Sequence, residues 1–460
     1  MTLPQEIRNI ADCPQNGKSM KFPDGFLWGV STAAHQVEGG NENNQWARWE
    51  SAGKTKSREV SGLACDWWNN AERDFDLAGD LGLNALRLSL EWSRIEPAPG
   101  QWNGQALRRY RQMLEGLVQR GIQPFVSLHH FTHPRWFEEA GAFLNARAAE
   151  QFEGFARRVA SELGELCRYW VTFNEPNVFA ALGYVLGDFP PGRSGDIRTA
   201  LRVIDGMAAC HARAYRAIHE IQPNAQVGWA HNYVVFEPER RLFLDRWSAG
   251  LLNRLFNEVF LNTIERGQPA NPINLDGKPL RAVKGTCDFI GVNAYSRFHV
   301  TFSLRHASQL FSNVYVPQDV PQGDHGVDKP YGEAYPGAVA AAVQRCARIR
   351  KPIYVLENGV PDAQDRIRPW LIVNVIRELH RLVGQGIDIR GYFHWTLTDN
   401  FEWSEGWRLR FGLVELDAAT QRRTMRPSGR LYGAIAQANG IPEAVSSKFV
   451  DAPEQDGFGA

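Results

Sequence analysis

Short runs of β-branched, aromatic and other apolar residues recur along the chain. Between them lie longer stretches whose apolar positions fall three and four residues apart. Eight runs stand out: Phe26–Ser31, Ala85–Trp92, Gln123–His130, Tyr169–Asn174, Gln226–Asn232, Phe289–Tyr295, Pro352–Glu357 and Ile389–Leu397. Leu107–Val118, Ala148–Cys167, Ala200–Ile221 and Trp370–Val383 carry the spacing of amphipathic helices. Strand–helix alternation implies parallel strands, because a parallel pair needs a long crossover that a helix supplies. The pattern predicts an α/β protein, either a closed (β/α)₈ barrel or a doubly wound open sheet.

The strand ends separate these two. His35 and Gln36 lie just beyond the first run, His130 ends the third, and Asn174-Glu175 end the fourth. Asn232 ends the fifth, Asn293 and Tyr295 the sixth, Glu357-Asn358 the seventh, and Trp395 to Asp399 the eighth. An open sheet concentrates its site near one switch point. A barrel collects the C-terminal ends of all strands on one face, where the active site forms. Polar and aromatic groups at nearly every end therefore favour a single TIM barrel with long βα loops over that face.

Composition adds limits to this picture. Of 460 residues 43% are hydrophobic and 22% charged, ample for one large core. Lys plus Arg equal Asp plus Glu at 51 each, so no global field favours nucleic acid or an anionic membrane. No apolar run approaches the roughly 18 residues of a spanning helix. The first residues, MTLPQEIRNIADCPQNGKSM, lack the apolar centre of a secretory signal. Cys13, Cys65, Cys167, Cys210, Cys287 and Cys346 are scattered without a CxxC pair, which suits reduced thiols in the cytoplasm. The expected organisation is an N-terminal extension over 1–20, one domain over 21–445 and a mobile tail over 446–460. The polar segment Arg297–Tyr335, with several Pro and Gly, is expected to be a loop over the barrel mouth.

Two strand ends carry the candidate chemistry. Val171-Thr172-Phe173-Asn174-Glu175-Pro176 runs a buried strand directly into a carboxylate. Ile353-Tyr354-Val355-Leu356-Glu357-Asn358-Gly359 does the same, although Asn358-Gly359 taken alone is a hairpin turn signal. Strands four and seven of a barrel stand nearly opposite each other across the mouth. Facing carboxylates are what cleavage of a glycosidic bond requires, one acid on the leaving oxygen and one group on the far side of C1.

On these residues the chain resembles glycoside hydrolase family 1, the retaining β-glucosidase and β-galactosidase family. Phe22-Pro23-Asp24-Gly25-Phe26-Leu27-Trp28-Gly29, continuing to Gln36-Val37-Glu38-Gly39, is similar to its N-terminal signature. Thr172 to Pro176 resembles the acid/base motif, and Tyr354 to Gly359 the nucleophile motif. Phe393-His394-Trp395-Thr396-Leu397-Thr398-Asp399-Asn400-Phe401-Glu402-Trp403, then Arg410-Phe411-Gly412, resembles the sugar-binding segment. The likeness runs from about Lys21 to Gly440.

The resemblance implies Glu357 as nucleophile and Glu175 as acid/base, roughly 5–5.5 Å apart. It implies sugar contacts from Gln36, His130, Asn174, Trp395, Glu402, Trp403 and Phe411. Arg87, Asn293 and Tyr295 would support the nucleophile, the Arg87 cation and neighbouring donors depressing its pKa. The expected partner is a small carbohydrate or an aryl or alkyl β-glycoside, with no cofactor and no metal. Glu402, Leu409 and Phe411 stand where a 6-phospho-glycosidase would hold phosphate, so unphosphorylated glucosides, galactosides or fucosides are implied. His129, His130 and His133 raise a metal-dependent rival, but no matching His or Asp set appears at other strand ends. A transglycosylase with the same residues and a non-catalytic carbohydrate-binding barrel are the alternatives. The preferred sugar and the oligomeric state stay open.

Overall fold

The computed structural model of the protein describes residues 20–270, 281–450 and 452–453. Eight parallel strands form the closed barrel: β1 (Leu27–Ser31), β2 (Ala85–Ser89), β3 (Gln123–His129), β4 (Tyr169–Asn174), β5 (Gln226–Asn232), β6 (Phe289–Asn293), β7 (Ile353–Glu357) and β8 (Ile389–Trp395). Each pairs with its neighbour in chain order, and β8 closes the ring by pairing with β1 from Gly391↔Leu27 to Trp395↔Ser31. The TIM barrel expected from the alternation is present.

The lower barrel is filled by side chains from around the ring. Phe125 of β3 stacks on Tyr169 of β4 at 4.3 Å, with Tyr354 and Phe393 edge-on to Phe125 at 5.2 and 4.9 Å. Gly29 of β1 makes room for that layer, since a Cβ there would lie 2.6 Å from the Phe393 ring. The interior is thus a packed core up to the level of Arg87, and only above it does a cavity open. Outside, the helices 104–119, 148–163, 197–221 and 368–384 turn apolar stripes onto the strands. Ile197–Ile221, for example, buries Ala200, Val203, Ile204, Met207 and Ala208 in sequence, and Asp196 caps its first turn through the Thr199 N–H.

Three expectations need correction. The run Ala85–Trp92 is not one strand, because β2 ends at Ser89 and Trp92–Ile95 is a helical turn. Glu91 starts that turn by accepting from the Ser93 N–H and Oγ. The sixth run stops at Asn293, so Tyr295 stands on the following loop. The segment 297–335 is not simply a loop. Ser296–Phe302 pairs with Ser312–Tyr315, Glu333–Ala334 and Val235–Pro238 in a small sheet of its own. Its weak apolar alternation hid it, and a bidentate Arg297–Glu333 ion pair at 2.8 and 2.7 Å holds it together.

The extension expected over 1–20 lies outside the described residues apart from Met20, which pairs with Ile441. At the other end Glu443–Ser446 is helical, and the Phe449 carbonyl accepts from Asn374 at 2.8 Å. Residues 454–460 lie outside the described residues.

Candidate active site

The cavity above the barrel has a volume of about 280 Å³. Of the residues expected to form a site, His130, Asn174, Glu175, Tyr295, Glu357, Trp395, Glu402 and Trp403 line it. Gln36, Arg87 and Asn293 lie directly behind, each bonded to a lining carboxylate. Phe411 does not line the cavity. Its ring packs edge-on against Tyr331 at 5.1 Å and Tyr295 at 6.2 Å, so it supports the wall from behind.

The two strands that deliver carboxylates share a local irregularity. Between Val171 and Asn174, β4 slips against β5, pairing three residues on where β5 advances by two. Between Val355 and Glu357, β7 slips in the same sense against β6. Such bulges re-aim side chains at strand ends. Glu175 then adopts a left-handed backbone, φ 46° and ψ 60°, as it opens the helix Pro176–Ala181. Phe131 (φ 65°) and Trp403 (φ 49°) on the cavity wall do likewise. Left-handed backbone is disfavoured for side chains of this bulk, and such strain collects at functional sites.

Fully buried Arg87 organises the floor. Its Nη1 donates to Glu357 Oε1 at 2.7 Å, Nη2 to Asn174 Oδ1 at 2.6 Å and Nε to Ser127 Oγ at 2.9 Å. Nη2 also lies 3.2 Å from His130 Nδ1. One cation therefore ties β2, β3, β4 and β7 together. Tyr295 donates its hydroxyl to the other oxygen of Glu357 at 2.5 Å.

Glu175 is held quite differently. Two amides converge on its Oε1, Asn293 Nδ2 at 2.8 Å and Asn232 Nδ2 at 2.9 Å. Asn293 also donates to Asn174 Oδ1 at 3.0 Å. Asn293, expected beside Glu357, is among the hydrogen-bonding groups that oppose the rise of Glu357, and it also serves Glu175. The role of Asn232 is not readable from the chain, where it is simply the last residue of a strand. Tyr331, which lines the cavity from the segment between two strands of the small sheet, also escaped the sequence reading.

Electrostatics separate the carboxyls. Burial, reinforced by the charge of Glu357, pushes Glu175 up to about 8 against the pull of its amides and Arg87. Burial also raises Glu357, while Arg87 and the Tyr295 hydroxyl pull the other way. The expected depression of Glu357 is thus not met, because desolvation outweighs the cation. Of the two, only Glu357 is ion-paired, so it is the one that ionises first. Glu402 is likewise pushed up to about 8, by burial first and by Glu357 next. His130 is held well below its usual range by burial and Arg87, and is neutral.

The sugar-facing groups are also positioned. Gln36 Nε2 donates to the Phe401 carbonyl at 2.8 Å and to Glu402 at 3.2 Å. Its Oε1 is buried with no protein partner. Trp403 stacks on His35 at 5.8 Å and packs against Trp46 at 4.8 Å. Asp399 anchors the loop that carries Glu402 and Trp403, through a bidentate pair with Arg426 at 2.8 Å on each oxygen. His129 and His133 point away into a cluster with Phe143 and Phe179. Among the described residues no group of three His, Cys, Asp or Glu side chains could hold a metal ion.

A (β/α)₈ barrel with two differently held carboxyls facing a sugar-sized cavity defines a glycoside hydrolase. The chain matches the model of glycosyl hydrolase family 1 over residues 18–441 and belongs to that family. It is 29% identical to "Beta-glucosidase A" of Thermotoga maritima, covering 92% of this chain and 99% of the relative. It is 31% identical to a "Beta-galactosidase" of Sulfolobus acidocaldarius, covering 92% and 96%. The solved "beta-glycosidase from Pyrococcus horikoshii" superposes with a TM-score of 0.86 at 33% identity, covering 94% of this chain and 98% of that one.

Proposed function

We propose that the protein is a retaining β-glycosidase that hydrolyses terminal, unphosphorylated β-D-glucosides, and galactosides or fucosides, through a glycosyl-enzyme. The observation that carries this reading is the opposite partnering of the carboxyls: Glu357 on Arg87, Glu175 on two neutral amides. On this reading Glu357 attacks C1 as a carboxylate while Glu175 gives its proton to the leaving oxygen. Two donors already occupy Glu175 Oε1, so Oε2 carries the proton. Arg87 and Tyr295 each donate to one oxygen of Glu357 and so orient the carboxylate for attack on C1.

Once the ester forms, the Glu357 charge is gone and with it one of the two effects that raise Glu175. Glu175 becomes more acidic and acts as base on water, which attacks C1 with a second inversion and releases Glu357 as a carboxylate. Asn174, held by Arg87 and Asn293, binds the 2-hydroxyl, a contact that strengthens in the transition state. Gln36, neutral His130 and Glu402 take other hydroxyls, with Trp395 and Trp403 against the apolar ring faces. A carboxyl at 402 with Leu409 and Phe411 offers no cation to a phosphorylated sugar. The five cysteines among the described residues are all free and buried, which supports a cytoplasmic location.

The solved Thermotoga maritima β-glucosidase carries glucoimidazole in one structure and deoxynojirimycin in another, both compact sugar-like ligands, which supports a single-sugar cup here. The test is a panel of aryl β-glycosides with wild type, Glu175→Ala and Glu357→Ala. Azide is expected to rescue Glu357→Ala to an α-glycosyl azide and Glu175→Ala to a β-glycosyl azide. A Glu357→Ala enzyme as active as wild type overturns the assignment.

A further inference from the structure

The helix Phe243–Asn253, which packs on the small sheet beside the barrel, is built inside out. It buries Asp245, Ser248 and Ala249 and turns Phe243, Leu244 and Trp247 outwards. Asp245 is satisfied inside, since it accepts from Arg240 at 2.7 and 2.9 Å and from the Phe302 N–H at 2.8 Å. Ser248 bonds to Ser312 at 2.6 Å and fastens the helix to the sheet. The outer face has no such cover among the described residues: Phe243 is 78% exposed and Trp247 44%. A surface helix ordinarily has the opposite polarity.

The apolar face continues onto the sheet. Trp247 stands edge-on to Phe302 at 6.2 Å, and Phe302 stacks on Phe311 at 6.0 Å. The Ser303 N–H donates to the Phe311 carbonyl at 2.9 Å and closes a turn that carries exposed Leu304. Val314, on the same side of its strand as Ser312, extends the face further. Phe243, Leu244, Trp247, Leu304, Phe311 and Val314 together expose roughly 600 Å², at the upper end of what soluble monomers show and most of the ~800 Å² that each partner gives to a stable interface.

The spacing along the helix says what covers it. Phe243, Trp247, Gly250 and Arg254 follow at i, i+4, i+7 and i+11, so they form one stripe down the outer face. Gly250 is a hole in that stripe, because a Cβ there would meet no atom within 4 Å. Turned antiparallel about a two-fold axis between Trp247 and Gly250, the stripe is complementary to itself. Each Trp247 then fills the hole at the other copy's Gly250, and each Phe243 meets the other copy's Arg254, a ring face against a guanidinium. Contacts of this isologous kind close after two copies. The exposed charges of the helix are Arg246 and, at its C-terminal end, Arg254. Aromatic residues with arginine are the composition that protein interfaces favour. A lipid surface would take up the apolar groups but has no use for the hole.

We propose that the protein forms a two-fold dimer in which the outer face of helix Phe243–Asn253 packs antiparallel on the same face of a second copy. Trp247 is the anchor, Gly250 its socket, and Leu304, Phe311 and Val314 form the border.

Sedimentation velocity at micromolar concentration tests this, with an expected particle of twice the 51.9 kDa chain mass. Trp247→Ala removes the anchor and should raise the dimer Kd at least about 30-fold. Gly250→Leu fills the socket. It places a good helix former where the chain itself leaves room, so the variant should keep one cooperative unfolding transition and yet sediment as a monomer. A wild-type protein that is monomeric at these concentrations overturns the proposal. Co-sedimentation of that monomer with phosphatidylglycerol vesicles, lost in Trp247→Ala, would assign the face to lipid instead. A dimer that survives either substitution also overturns it, because the copies then meet elsewhere.

Discussion

Glu175→Gln is expected to stabilise the protein while removing its activity. Glu175 is 6% exposed, and burial and Glu357 push it up to about 8 from an ordinary 4.5. The folded chain therefore holds this proton more tightly than the unfolded chain does. Its contribution to stability is complete below about pH 4.5 and is lost as pH rises through about 8. Between those limits each pH unit costs about 1.4 kcal/mol, which at pH 7 amounts to at most about 3.4 kcal/mol. Sharing of charge with Glu357 and Glu402 brings the expected gain to about 2–3 kcal/mol. Glutamine escapes this cost and still offers Oε1 to Asn232 and Asn293. At this chain length 1 kcal/mol corresponds to about 1 °C, so Tm should rise by about 2–3 °C at pH 7. Urea unfolding of both proteins at pH 5, 6, 7 and 8 gives the free energies. The difference should be under about 1 kcal/mol at pH 5 and widen steadily towards pH 8. A difference that does not change with pH, or a less stable Glu175→Gln protein, refutes the reasoning.

The pH profile of kcat/KM should fall on its basic side near 8, as the free enzyme loses the Glu175 proton, and on its acidic side above the ordinary carboxylate value of 4.5, as Glu357 gains one. Initial rates across pH 4 to 10 check both limbs. Arg87→Met removes the cation opposing desolvation of Glu357, so the acidic limb should move to higher pH and kcat/KM should drop by at least about 10²-fold. Asp399→Ala leaves Arg426 buried beside the Gly412 carbonyl without its carboxylate. It should cost about 3–5 kcal/mol in urea unfolding and raise KM through the loop carrying Glu402 and Trp403.

The barrel was legible because its strands are buried on both faces and read as unbroken apolar runs. Tyr169–Asn174 and Gln226–Asn232 were placed to the residue. Both carboxylates announced themselves as charges at the tips of such runs. What the pattern could not carry were contacts across the ring. Asn232 looks like any strand-ending amide until β5 and β4 are set side by side. Asn293 was read beside Glu357 alone, since nothing in its neighbours along the chain says that its amide also reaches Glu175. The bulges at Asn174 and Glu357 are offsets between two strands and have no signature in either. The sheet around Ser296–Phe302 escaped because it buries little, and a half-solvated strand such as Ser-Arg-Phe-His-Val-Thr-Phe resembles a polar loop. Phe411 was placed on the sugar because motif position alone does not show that its ring packs against Tyr331 and Tyr295 instead of lining the cavity.

The proposal that Glu357 forms a covalent glycosyl-enzyme, and Glu175 then activates water, fixes the stereochemistry of the first product. Proton NMR of 4-nitrophenyl β-D-glucoside hydrolysis, recorded within the first minutes before mutarotation, reads that stereochemistry directly. The account predicts that the β-anomer of glucose appears first and the α-anomer grows in only later. Initial release of the α-anomer would mean a single inverting displacement and would contradict the assignment of Glu357 as nucleophile.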